Sequence, residues 1–420
     1  MKNTFGKTKI LLPQNVDLTK FSVVACDQFT SEIEYWNELE KTIGDAPSSL
    51  HITFPEAYLE ICNEEEKIDS INSTMKKYTD SNIFKEFNNS LIYVERTLQN
   101  GAVRKGVMGA VDLLDYDFSK GSSSLIRATE GTVLERIPPR VKIRENAPLE
   151  LPHIMLLIDD EKKAIIEDLE KSKSEETLVY SFDLVKDSGS IKGYLLENSV
   201  ADLLLEKLSK LAEKDAFEQK YGVKDKGVLQ YAVGDGNHSL ASAKTCYENL
   251  RNSMSEQEFL NHPARYALVE LVNLHDESLE FEAIHRIVFE VDVNNFVDEL
   301  NKYYEISNEK SGQKFTLVEN GINKDLYIKN PKSNLAVGSI QIFIDEYLSK
   351  NKGKVDYIHG EDVVQSLSKK ENSIGILFDC MDKSELFKTV ILDGSLPRKT
   401  FSMGHAWDKR FYLEARKIKN

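Results

Sequence analysis

Gly227-Val228-Leu229-Gln230-Tyr231-Ala232-Val233-Gly234-Asp235-Gly236-Asn237-His238-Ser239 is the stretch whose reading decides the architecture. Residues 227–233 form an apolar run of strand length, and residues 239–250 carry helix-forming side chains, so the chain reads as a strand that turns at Gly234-Asp235-Gly236 into a helix. A helix opening in this way presents backbone N–H groups that no helical carbonyl accepts, and its dipole favours negative charge there. The glycines permit positive φ and close backbone approach, and Ala241, Ser242 and Ala243 let the helix pack tightly. Read for chemistry, Gly236, Asn237 and Ser239 hold a phosphate, Asp235 orients a nucleophile or metal or acts as a base, and His238 donates to a phosphate or moves a proton. Read as structure alone, the segment is an Asp-Gly turn with an Asn or Ser helix cap, which explains the glycines and gives His238 no role.

Outward from this turn the pattern alternates loosely between strands and helices. Upstream, residues 21–26 read as a buried strand and 31–42 as a helix, with Asp27-Gln28-Phe29-Thr30 at the junction. Residues 91–96 and 103–113 read as paired strands turned by Asn100-Gly101. A strand at 154–158 followed by a helix at 162–171, a strand at 177–182 and an amphipathic helix at 200–214 lead to the central turn. Beyond it, 266–273 and 281–291 read as strands and 293–304 as a helix, and 310–350 is polar and turn-rich before becoming helical. This order predicts a mixed α+β fold rather than a regular doubly wound sheet. We expect a main domain over 1–292 carrying the phosphate site and a C-terminal lobe over 293–420, whose last segment, 393–416, closes in an amphipathic helix and returns toward the site.

The totals exclude several classes of function. The 420 residues are 41% hydrophobic and 29% charged, ordinary globular composition, and 54 Lys plus Arg against 69 Asp plus Glu give a formal net charge of -15. That field opposes a polyanion, so nucleic acid is not an expected partner, although close contacts still allow a small phosphate. Cys26, Cys62, Cys246 and Cys380 lie far apart without a CxxC or Cys/His cluster, so neither a disulfide framework nor a protein-held metal is expected. The apolar patch at 10–12 is too short for a secretory signal or a membrane span, making the cytoplasm the expected compartment. No Walker loop, protein-kinase set, GxSxG elbow or HExxH is present.

Three further groups offer chemistry. Arg127, Glu130, Thr132, Arg136, Arg140 and Arg144 surround Pro138-Pro139; arginine forks suit phosphate, and Glu130 could take a proton from a hydroxyl, while a solvated charged loop is the plain alternative. His285-Arg286 interrupts an apolar strand and could equally be a core histidine with its neighbour. Lys399-Thr400-Phe401-Ser402, followed by His405 and Lys409-Arg410, could bring cations and hydroxyls to a phosphate or simply lead into a helix.

Taken in order, Arg127-Ala128-Thr129-Glu130-Gly131-Thr132, Asp235-Gly236-Asn237-His238-Ser239, His285-Arg286 and the Lys399-Thr400 turn resemble the domain-of-unknown-function ten-fifteen family of bacteria and archaea over most of the chain. That family's Asp-Gly-His-His-Arg segment is similar to the one in free-serine kinases of the ParB and sulfiredoxin-like superfamily, whose members bind nucleotide phosphates at this helix entrance. The resemblance implies a mixed-sheet core with a ParB/sulfiredoxin-like nucleotide-binding element, ATP or ADP with Mg2+ as cofactors, and serine or phosphoserine as acceptor or donor. Asn237 and Ser239 replace the first His and the final Arg of the pattern, so either Arg286, Lys399 or an arginine of the 127–144 cluster supplies the missing cation or the transferred chemistry differs. Glu130 matches the glutamate of the family's Arg-His-Glu-x-Thr segment, with Thr129 where a histidine is usual.

The expected function is therefore phosphotransfer between a nucleotide and a small hydroxyl compound, with the nucleotide and that small molecule as the partners. Glu130, Asp235 and His238 are the catalytic candidates; Gly236, Asn237, Ser239, Arg136, His285, Arg286, Lys399 and Thr400 are the cofactor-binding candidates. Two clusters offering phosphate chemistry predict one site, with Glu130 roughly 10 Å from His238. The alternatives are a nucleotide-binding regulatory protein without turnover and a nucleotide-independent phosphatase of phosphoserine.

Overall fold

The computed structural model describes residues 4–59, 61–132 and 134–419, and the side chain of Arg136 lies outside the described residues. Chain contacts divide it into a first unit, which runs to Leu279 and takes back the chain end from His405, and a second unit, Glu280–Gly404.

The first unit is built on a ten-stranded mixed sheet. Its strands are β1 (Phe5–Gly6), β2 (Ile92–Thr97), β3 (Val103–Asp112), β4 (Tyr116–Asp117), β5 (Ile126–Ala128), β6 (Met155–Ile158), β7 (Leu178–Asp183), β8 (Ser190–Leu195), β9 (Tyr231–Asp235) and β10 (Tyr266–Asn273). The order across the sheet is β7-β8-β2-β3-β10-β6-β9-β5-β4, with β1 along β3. The half from β7 to β10 is antiparallel; β10 then runs parallel to β6, and β9 lies antiparallel to β6 and parallel to β5. Helices α1 (Ile33–Ile43) and α2 (Glu64–Asp80) lie early in the chain; parallel neighbours require crossovers, and these are supplied by the segments carrying α3 (Ile137–Arg144), α4 (Asn198–Lys210) and α5 (Asn237–Asn249).

Side-chain alternation gives the sheet two apolar faces. Leu91, Tyr93, Val107 and Val111 join one core with Leu204 and Leu208 of α4 and Leu240, Ala243 and Tyr247 of α5. Ile92, Val94 and Met108 point the other way, into a core with Trp36, Leu39, Phe411 and Leu413. Both faces covered explains why β10 reads as a near-continuous apolar run, with Glu270 as its one charged member.

Several expected elements differ. Residues 21–25 are buried and Cys26 half-buried without forming a regular strand: Phe21 ends a short helix, Leu18–Phe21, capped by the Asp17 carboxylate, and Val24 makes an isolated bridge to Phe411. In place of a helix at 162–171 there is a 3-10 stretch, Glu167–Ser172, because the Asp160 carboxylate accepts the N–H groups of Ala164 and Ile165 and turns the chain. The amphipathic helix expected at the chain end is replaced by extended chain. After a short turn, Ala406–Asp408, Phe411 and Ala415 bridge to Val24 and Leu11, and Arg416–Lys417 pairs with Leu149–Glu150. Extended backbone lets the interior accept both sides of this segment: Phe411, Leu413 and Ala415 are buried apolar, and Arg410, Glu414 and Arg416 are buried as ion pairs.

The second unit has its own sheet. Residues 281–291 form two strands, β11 (Phe281–Ala283) and β12 (His285–Phe289), which pair in different sheets. With β13 (Ile306–Ser307), β14 (Gln313–Glu319), β15 (Ile322–Ile328), β16 (Lys354–Ile358) and β17 (Ser373–Leu377), β12 makes the antiparallel order β13-β15-β14-β17-β12-β16, and β11 pairs with β18 (Phe401–Met403). Helices α6 (Val293–Tyr303) and α7 (Ala336–Lys350) close its core through Phe296, Leu300, Ile340 and Ile344. The division at Leu279 therefore precedes the expected boundary at 292, because β12 is bonded on both edges within the second unit.

Candidate functional site at the entrance to helix α5

β9 delivers the chain to α5 through Gly234-Asp235-Gly236 as the sequence pattern predicts. Gly236 is the helix N-cap, left-handed at φ 78°, and no side chain caps the helix there. A Cβ on Gly236 would lie 3.0 Å from the Ile154 Cα, and one on Gly234 would sit 2.7 Å from the Leu157 side chain, so close packing and φ both call for glycine. Asp235 takes the Gly236 N–H on Oδ1 at 2.8 Å and faces Lys409 Nζ at 3.3 Å with Oδ2. The cation that the returning chain end brings to Asp235 is thus Lys409, beyond the expected Lys399.

Asn237 has a positional task. Its Oδ1 accepts the Thr129 N–H at 3.2 Å, and its amide donates to Thr129 Oγ1 at 3.4 Å, while Thr129 Oγ1 donates to the Val233 carbonyl at 2.6 Å. Together with the parallel pairing of Ala128 to Val233, this ties the end of β5 to the first turn of α5. Glu130, the next residue after Thr129, is exposed. His238 is half-buried in the same turn, and its carbonyl accepts the Ser242 hydroxyl at 2.7 Å.

Beneath Ser239 lies a group that no local pattern announces. His153, 5% exposed, precedes β6 and places Nε2 3.4 Å from Ser239 Oγ and 3.3 Å from Asp27 Oδ2. Its Nδ1 meets the Tyr412 hydroxyl at 2.8 Å, and that hydroxyl reaches Cys26 Sγ at 3.1 Å. Burial opposes charge on both members of the pair, but each answers the other. Asp27, helped by Gln28 and Lys409, keeps its carboxyl well below the usual range, and the His153 imidazole is raised by Asp27, Asp235 and Glu56. Burial and Asp27 push the Cys26 thiol up to about 12, so it is no thiolate nucleophile at neutral pH. Asp27 and Ser239 face the same imidazole nitrogen, which departs from a Ser-His-Asp relay, where serine and aspartate occupy opposite nitrogens.

The arginine cluster is largely structural. Arg127 is buried and donates to the carbonyls of Ser124, Gly227 and Val228, Arg140 pairs with Glu56, and Arg144 pairs with Glu150. The Arg136 side chain lies outside the described residues. In the second unit, buried Arg286 donates to Gln341 Oε1 and to the carbonyls of Ile284, Lys399 and Arg398. Four of its five N–H groups are thereby engaged, so the reading of Arg286 as the replacement phosphate fork is corrected to a clamp on the 398–399 turn. His285 is buried, Nδ1 accepts the Phe378 N–H at 3.3 Å, and burial lowers its pKa, the state of a satisfied core histidine. Thr400 is buried and donates to the Pro397 carbonyl at 2.6 Å. Both belong to the packing of that unit rather than to a phosphate site.

Magnesium finds no dedicated cage at α5. Among the described residues the one three-ligand group is Asp159, Glu161 and His275, elsewhere in the first unit, and Lys220 already stands 2.9 Å from Asp159 and 3.8 Å from Glu161. Asp235 is committed to Lys409 and Gly236, so the protein groups do not by themselves fit the ion. No helix among the described residues is long and apolar enough to cross a membrane.

None of the curated proteins matches the sequence. Among solved structures, free serine kinase in complex with AMP is 11% identical with a TM-score of 0.37, over 74% of this chain and 90% of that one. A variant of free serine kinase in complex with ADP gives 10% identity and a TM-score of 0.37, covering 72% and 94%. A conserved hypothetical protein from Pyrococcus furiosus gives 11% identity and a TM-score of 0.34, covering 74% and 94%. The family model described as "Protein of unknown function (DUF1015)" matches residues 10–347, and the chain belongs to that family.

Proposed function

We propose that the protein transfers a phosphoryl group between a nucleotide and a small hydroxyl compound at the entrance to α5. The observation that carries this reading is the pairing of Lys409 with Asp235 at a glycine-capped helix N-terminus. The Lys409 ammonium has N–H donors beyond the one that Asp235 accepts, and with the helix dipole and the backbone N–H groups of the first turn it makes the combination that holds phosphate. Transfer to an alcohol needs little covalent help from protein and mostly positioning and charge stabilisation. The acceptor oxygen bonds to the terminal phosphorus as the bond to the nucleoside diphosphate oxygen breaks, and the hydroxyl proton leaves to Glu130. Lys409, His238 and the N–H groups of the first α5 turn answer the negative charge on the transferred group, and the His153–Asp27 pair holds Ser239 in place. Serine or phosphoserine as the partner comes from the motif resemblance alone. Magnesium would arrive on the nucleotide's own phosphates.

The test is a phosphate-exchange assay with the full chain, ATP or ADP, magnesium and a panel of small alcohols including serine and phosphoserine. Transfer in wild type that falls by about two orders of magnitude or more in His238→Ala and in Asp235→Asn, with near-native thermal midpoints, is expected if His238 acts at the reacting phosphate and Asp235 positions Lys409 and the Gly236 N–H there. Nucleotide binding without transfer would point to a regulatory binding protein, and phosphate release from phosphoserine without nucleotide to a phosphatase.

A further inference from the structure

Behind the first turn of α5 the first unit has a cavity of about 150 Å³ that opens to solvent. Ser239, Ser242, His153 and Tyr412 make its polar wall, so it abuts the helix entrance from inside. Phe54, Met75, Ile143, Leu149 and Leu151 contribute its apolar wall. Its charged lining residues are already matched in contact: Glu56 with Arg140, Glu150 with Arg144 and with Arg416 at 2.6 Å, and His153 with Asp27 at 3.3 Å. The lining therefore offers hydroxyl and imidazole groups at one end and hydrocarbon elsewhere, without an uncommitted charge for an ionic ligand.

We infer that this cavity seats the acceptor, and that the acceptor is a neutral alcohol carried on an apolar body about the size of one aromatic ring rather than free serine. A cavity of roughly this volume with apolar walls accommodates a benzene-sized ligand. The ammonium and carboxylate of serine would both lose water against groups whose opposite charges are already in contact, whereas a ring replaces water favourably and leaves one hydroxyl to meet Ser239 and His153. The word acceptor rests on the phosphotransferase reading; the ligand class rests on the cavity alone.

Benzyl alcohol and L-serine are the probes, titrated by NMR into the full-length protein without nucleotide. Benzyl alcohol is expected to bind saturably and at least tenfold more tightly than L-serine, and Ala147→Phe, which fills the cavity from a buried lining position, is expected to weaken it tenfold or more. Ile143→Trp, at a half-buried lining position, serves the same purpose should Ala147→Phe fail to fold, judged by far-UV circular dichroism. Absence of saturable benzyl alcohol binding, equal binding in a folded filled variant, or tighter binding of L-serine overturns the inference. Benzyl alcohol binding that the filled variants abolish, with no phosphate passing from ATP, supports the ligand class and overturns the phosphotransferase reading instead.

Discussion

His153 and Asp27 form a buried pair in which each charge requires the other, and this gives their titration a definite sign. His153 is raised above its ordinary 6.5, so its contribution to stability is full below 6.5 and is lost as pH rises through the folded value. Asp27 is depressed below its ordinary 3.8, so its contribution is present above 3.8 and is lost as pH falls through the folded value. The pair contributes most between those two ordinary values and declines on the alkaline side. Asp27→Asn removes the opposing charge while burial remains, so the His153 imidazole should titrate at lower pH than in wild type, and the stability gap between the two proteins should narrow above neutrality. NMR titration of the His153 ring protons checks the first, and urea unfolding at a series of pH values the second. An unshifted His153 titration would mean that Asp27 does not face it in solution.

At the scale of elements, α5 depends on one backbone conformation and the chain end on one ionic cluster. Gly236→Ala places a Cβ in the left-handed region and against Ile154, which should cost about 1–2 kcal/mol in urea unfolding; a stable variant would remove the strain argument. Arg410 lies buried between Glu270, at 2.5 Å, and Glu414, while Arg96 and Arg104 donate to the carbonyls of Trp407 and Asp408 at 3.0 and 2.7 Å. Arg410→Met leaves two carboxylates buried with fewer counter-charges and should cost about 3–5 kcal/mol, read from the shift of the urea midpoint. The turn at Gly234-Asp235-Gly236, the hairpin at Gly101 and the helices with clear periodicity were legible in the sequence because turn chemistry and apolar spacing are local. The chain end was not. Arg410 and Glu414 stand at the spacing of an exposed helical pair, and only their partners on distant strands reveal them as core. His153 carries no local signal for the same reason: Asp27, Ser239 and Tyr412 meet it from remote parts of the chain. The sequence pattern points to Lys399 as the cation of the C-terminal segment; the side chain that faces Asp235 is Lys409, and only the path of that segment places it there.

For the molecule as a whole, a net charge of -15 sets the electrostatic problem that a phosphate site has to solve. That long-range field would repel a nucleotide, so under the proposed function affinity would arise from groups within a Debye length, about 8 Å at physiological salt. At the entrance to α5 those groups are the helix N-terminus and Lys409, a side chain on the returning end of the first unit. That makes Lys409 the residue on which the account depends most. Isothermal titration of the full-length protein with ATP, wild type against Lys409→Ala, is the direct test. Saturable binding that weakens by about 1.5–3 kcal/mol in the variant, a tenfold loss or more, is the predicted result, the usual range for a hydrogen bond to a charged group. Equal affinity in the two proteins, or no binding of ATP to wild type, would contradict a nucleotide phosphate site at this helix.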